Sequence, residues 1–229
     1  MTPVQYLFSV YVSALGTILG TPQVEPDPAL IAQLKQERPA AVGKNGADAL
    51  YAIPQAPTGE LTLFCNVDQA DCLGVARENL AAYRAAAQQH QNAWQLQEKA
   101  IAALRQYDHF RYTTTLEGPL PPYNRIFRQR ILAAYRFADG EKTAAIESLC
   151  TTMAVGLHLL NNDQNGLFPG LIATGIIAAN TTMLAEMLAE SPAGTRLPAI
   201  CDEIKVQPAE NLSLCPHLAG EWEYLSAQQ

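Results

Sequence analysis

The chain has 229 residues, 48% of them hydrophobic and 16% charged, which excludes a disordered chain and leaves enough apolar material for a sizeable core. Its formal charge of −7 is dispersed, and with no cluster of Lys or Arg the sequence argues against nucleic acid as the main partner.

From Met1 to Val24 no side chain is charged, and residues 4–19 (VQYLFSVYVSALGTIL) are largely apolar. A run of this kind approaches the length needed to cross a bilayer, which makes it a candidate membrane anchor or signal segment. Two features favour a helix docked on the core instead. No basic residue precedes the run, and Gln5, Ser9, Ser13 and Thr17 recur at every fourth position as a polar stripe. Residues 21–28 contain Pro22, Pro26 and Pro28 and read as an extended spacer. Residues 29–37 predict a short helix, and the segment 45–53 predicts either one helical turn or a short strand. Leu61 to Phe64 is the other plausible strand, and neither is long enough to imply a sheet.

Cys65 and Cys72 flank an acidic loop, while Cys201 and Cys215 flank the segment after the last long helix. Two locally spaced pairs predict two disulfides and an oxidising envelope compartment; five reduced thiols in the cytoplasm is the alternative. Cys150 falls on an apolar helix face, where a small buried hydrophobe is expected. With no C-x₂-C pair and no His-x₃-His spacing, no metal or other cofactor is expected.

The longest regular element is expected over 72–107. Leu73, Ala76, Leu80, Tyr83, Ala87, His90, Trp94, Gln97, Ile101 and Leu104 step by three and four in the manner of a coiled-coil seam. One rod, or a hairpin broken near residues 88–92, fits that pattern. Leu80, Tyr83, His90, Trp94 and Ile101 are the candidate protein-binding residues, since an unpartnered seam would take up another chain. Asp108 and His109, beside Arg111 and Tyr112, have the residue types of an acid/base site; a solvated helix end explains them more simply.

After the linker 116–122, the stretch 122–190 predicts three helices in series. Tyr123, Ile126, Phe127, Ile131, Ala134, Tyr135 and Ala138 define one apolar face, closed by Asp139-Gly140, where glycine can adopt the left-handed conformation. Ile146, Leu149, Cys150, Met153, Leu157 and Leu160 define the next face. The break at 161–166 resembles the start of a calcium loop, but its twelfth position is Ile172 where a bidentate Glu is required. Residues 167–179 are apolar or small on every side, which predicts a central core helix whose apolar run of about 13 residues is too short to span a bilayer, and Ala185 to Glu190 finishes a helix that Ser191-Pro192 breaks. Beyond Pro192 the sequence loses regularity, with a short helix expected over 197–204 and an aromatic pair, Trp222 and Tyr224, near the end.

Two resemblances follow from these residues. The pattern from Ile131 to Ile146, with Tyr135, Gly140 and Ala144, resembles the middle of a tetratricopeptide-type hairpin covering 123–160. It implies protein binding, although the early Trp-Leu-Gly signature and a second repeat are absent. The order of apolar segment, spacer, Lys44-Asn45-Gly46-Ala47-Asp48-Ala49-Leu50-Tyr51, Phe-Cys loop, helices and Leu214-Cys215-Pro216-His217-Leu218-Ala219-Gly220-Glu221 is similar to membrane-anchored proteobacterial envelope proteins of unknown function. That resemblance implies a chain truncated at its C-terminus.

Together these readings predict a mainly α protein of antiparallel hairpins, as a bundle or α-solenoid, with little or no β. Residues 1–20 form the apolar segment, 21–28 the spacer and 29–229 the helical domain. The expected role is non-catalytic: binding another protein at the envelope, in the periplasm or on its membrane through residues 4–19. A hydrolase or ligand-binding protein using Asp108, His109 and the 161–166 loop is the alternative.

Overall fold

The computed structural model describes residues 28–29, 32, 40–57, 71–111, 120–162, 166–204, 212 and 214–226. The apolar run 4–19, the short helix of 29–37 for the most part, the strand expected at 61–64 and Cys65 lie outside the described residues. Described residues are mainly helical, as the 3.6-residue periodicity predicts, and the one β feature among them is an isolated bridge between Asn45 and His109.

The described elements are α1 (Ala47–Tyr51), α2 (Cys72–Glu78), α3 (Leu80–Ala103), α4 (Asn124–Ala138), α5 (Lys142–Leu160), α6 (Leu167–Ala189) and α7 (Cys215–Ser226), with 3-10 turns at Leu104–Gln106 and Ala199–Ile204. The stretch 122–190 forms the three helices expected. Gly140, at φ +95°, ends α4 and lets the chain reverse into α5.

The centre of the molecule is α5 and not the helix after it. It packs on α3, α4, α6 and the second 3-10 turn. Ala145, Leu149, Cys150 and Val155 on it are fully buried. Both α5 and α6 are long and apolar enough to cross a membrane, but 67% of the apolar window of α5 is buried in the protein against 39% for α6. The absence of a polar face over 167–179 predicts a central helix there. In the structure α6 ends at Ala189, as the break at Ser191-Pro192 predicts, but it leaves Phe168, Leu171, Thr174 and Ala178 exposed along one side. Gly156 marks where α5 and α6 approach most closely, since a Cβ there would lie 3.0 Å from Ile177 and 3.1 Å from Ile176.

The long helix predicted over 72–107 is interrupted at Asn79. Its side chain donates to the Val75 carbonyl at 2.9 Å, and its backbone, at φ −107° and ψ 18°, separates α2 from α3. Side-chain competition of this kind is why Asn favours helix ends. The alternative break at 88–92 does not occur. Asp71 caps α2 by accepting the Gly74 N–H at 2.7 Å.

The apolar core lies along α5 in two patches. One joins α2, α3 as far as Trp94, α4 and the C-terminal half of α6, and includes a stack of Tyr83 on Tyr135 with ring centroids 4.9 Å apart. The other joins α1, Ile101, Leu104, Phe110 and the first half of α6. The C-terminal part is more regular than expected: residues 215–226 form α7, which packs against α6.

The disulfide reading requires correction. Cys201 pairs with Cys150, with a Cα–Cα separation of 5.0 Å, and Cys215 is an exposed thiol. Distance along the chain favoured Cys201 with Cys215, whereas packing of the second 3-10 turn on α5 brings Cys201 to Cys150. Cys72 is disulfide-bonded, and its expected partner Cys65 lies outside the described residues.

Candidate functional site

The seam of α3 turns inward. Tyr83, Trp94 and Ile101 are 4%, 2% and 1% exposed, while Leu80 and His90 are half-buried, so these five residues do not form an open binding face. The apolar stripe of α3 packs instead on the protein's own α4 and α5. The polar seam position Gln97 is satisfied within the fold. Its Oε1 accepts the Ala56 N–H at 2.9 Å and its Nε2 donates to the Arg125 carbonyl at 2.8 Å.

Asp108 and His109 form a backbone clasp. The Asp108 carboxylate accepts the Lys44 N–H at 2.7 Å, and the His109 carbonyl accepts the Gly46 N–H at 2.7 Å. Asn45 completes the clasp by donating to the Arg111 carbonyl and accepting the Arg111 N–H. Asn162, at the start of the 161–166 loop, donates to the Phe110 carbonyl at 3.2 Å, so the loop and the clasp do meet. Residues 163–165 and Tyr112 lie outside the described residues. The carboxylate thus has a structural task, and the imidazole, 8% exposed, lies inside the fold.

A groove of about 280 Å³ opens where the end of α3 crosses the α4–α5 hairpin. Three helices supply it. Glu98, Lys99 and Ala102 come from α3, Gln129 and Arg136 from α4, and Glu147, Ser148, Thr151 and Thr152 from α5. Arg136 grips Glu98 in a two-pronged pair, Nη2 to Oε2 being 2.9 Å, with side chains only 15% and 22% exposed. Burial works against the Arg136 charge, yet the hydrogen bonds and charge of Glu98 hold its pKa above the usual arginine range. The Ser148 hydroxyl lies 3.4 Å from the same carboxylate, and Thr152 donates to the Ser148 carbonyl at 2.8 Å.

Gln129 lines this groove and differs from every other polar group in it. It is 2% exposed, and neither its Nε2 nor its Oε1 has a hydrogen-bond partner among the described residues. A buried carboxamide left without partners costs about 1–3 kcal/mol. The sequence held a signal for this residue. Gln129 lies three residues after Ile126 and four before Ala133, on the buried arc of α4, and a polar residue on such an arc is the informative exception.

Among the described residues no group of three or more His, Cys, Asp or Glu side chains is placed to hold a metal ion. No protein-family model matches the chain, and no curated protein or solved structure matches it either.

Proposed function

We propose that the chain is a non-catalytic, envelope-associated helical protein that binds another protein in the groove between α3 and the α4–α5 hairpin. The observation that carries this reading is Gln129. A neutral carboxamide does no acid–base or nucleophilic chemistry at physiological pH, but it recognises through directed hydrogen bonds. The lining charges, Lys99 and Arg136 against Glu98 and Glu147, balance, and this suits a neutral polar segment of a partner better than a charged metabolite. The envelope assignment is supported by the Cys150–Cys201 bridge, the disulfide-bonded Cys72 and the uncharged run 1–24. A hydrolase at Asp108 and His109 has less support, because the carboxylate is already engaged by the Lys44 N–H.

The reading is tested by placing a photo-crosslinking amino acid at Ala102, on the groove wall, in cells of the native host. A discrete protein adduct is expected, and it should disappear when Gln129→Leu is added. Adduct formation that is indifferent to Gln129, or no adduct at all, would overturn the proposal.

A further inference from the structure

We infer that residues 4–19 form an amphipathic helix that docks along the exposed side of α6, so that the uncharged run covers the protein's own surface and does not span a membrane. The groove is not involved, and the envelope assignment then stands on the disulfides.

The exposed side of α6 is a seam. Phe168, Leu171, Gly175, Ala178, Thr182 and Ala185 step alternately by three and four, the spacing along which one helix contacts another. All are exposed except the half-buried Gly175, and the two largest, Phe168 and Leu171, are 45% and 41% exposed. No charged residue occurs from Leu167 to Ala185. The exposed hydroxyls on this side bond within the helix: Thr174 donates to the Gly170 carbonyl at 3.0 Å, Thr181 to that of Ile177 at 2.8 Å and Thr182 to that of Ala178 at 3.2 Å. Solvent therefore meets a mostly apolar strip about 25 Å long.

The run 4–19 carries the matching pattern. Val4, Leu7, Tyr11, Ala14 and Ile18 show the same alternation of three and four, while Gln5, Ser9, Ser13 and Thr17 fall on the opposite side of such a helix. A membrane span has no use for a polar side, whereas a helix laid on a protein surface turns one to water. As a helix the run is about 24 Å long, the length of the strip. Its seam is mostly large, and that of α6 is small from Gly175 to Ala185, so side chains of one fill the relief of the other. Residues 20–39 allow the contact. With 29–37 helical they reach up to roughly 50 Å, against a radius of gyration of roughly 16 Å for a domain of this size.

Other occupants fit less well. A second copy of α6 would set small residues against small ones and leave the strip unfilled. Helices that lie on lipid carry Lys or Arg beside the apolar side, whereas the first charges after this strip are Glu186 and Glu190.

The test places the photo-crosslinker p-benzoylphenylalanine at Leu171 of the full chain, purified without detergent and irradiated with and without neutral phosphatidylcholine vesicles. Under both conditions the label should join α6 to the peptide of the same chain that ends at Lys35, with the link inside residues 4–19. Tyr11→Asp, which puts a charge on the docked seam, should lower the yield at least about tenfold. Ser9→Asp, on the polar side, should leave it unchanged. Should Tyr11→Asp not fold, Ala178→Asp, at an exposed position of α6, gives the same loss. A link between two chains would overturn the inference in favour of self-association, and a link to lipid in favour of a membrane face. No link, or equal loss in Ser9→Asp and Tyr11→Asp, would overturn it outright.

Discussion

Two glutamines on neighbouring helices show how far residue type underdetermines role. Gln97 and Gln129 are both 2% exposed, yet Gln97 ties residue 56 to the start of α4, whereas Gln129 has both polar atoms unmatched among the described residues. Sequence spacing put Gln97 on the seam because its neighbours step by three and four around it. Nothing local said that its partners are the backbone at Ala56 and Arg125. Tyr83 gives the residue-scale prediction. Burial raises its phenol from the ordinary 10.0 to about 12, so the folded protein holds that proton more tightly than the unfolded chain. The stability it contributes is fully present below pH 10 and is lost as pH climbs toward 12. Urea midpoints measured from pH 9 to 12 should fall more gently in Tyr83→Phe than in the parent. A residual slope is expected, because burial also raises Tyr51 and Tyr135. Identical slopes would contradict the assignment.

At the scale of elements, periodicity revealed which stretches are helical and concealed what they face. The 122–190 hairpins were legible because Gly140 and the 161–166 break punctuate three uninterrupted apolar faces. The rank of α5 over α6 was not. An all-apolar sequence marks a helix that can be buried, while the burial of α5 comes from its lying between α3, α4 and α6. The break at Asn79 was missed because the seam runs through it without a slip in spacing. The α3 seam carries a direct prediction. Ile101 is 1% exposed between the α1 and α6 contributions to the core, and a carboxylate there would be buried without a partner. Ile101→Asp should therefore lose more than about 4 kcal/mol and its cooperative thermal transition, followed by circular dichroism. Leu80→Asp, at a half-buried position, should remain folded. A folded Ile101→Asp would restore the seam to the role of an open binding face.

For the whole molecule, the disulfide and the groove are the features that depend on the assembled fold. Cysteine count and composition made an oxidised protein legible, but the correct pairing spans a sequence separation of 51 and needed the 3-10 turn at 199–204 packed on α5. Closing a loop of that length stabilises by about 4 kcal/mol on chain-entropy arguments. Alkylation and mass spectrometry of the denatured, unreduced protein from its native host should find Cys150 and Cys201 protected and Cys215 modified. Five modified thiols would place the chain in a reducing compartment and remove the envelope from the account. The groove was illegible for a related reason. Its lining comes from three helices, and no window of sequence contains it.

The central claim is that Gln129 is kept for recognition and not for folding, and urea denaturation of Gln129→Leu tests it most directly. An amide without internal partners contributes no hydrogen bond to the fold, so an apolar side chain of similar size should leave stability unchanged or raise it by about 1 kcal/mol. The parallel variant Gln97→Leu should fall by about 2 kcal/mol, because it strands the Ala56 N–H and the Arg125 carbonyl. A comparable fall in Gln129→Leu would show that the fold itself uses this amide, and would contradict its role as the recognition group of the groove.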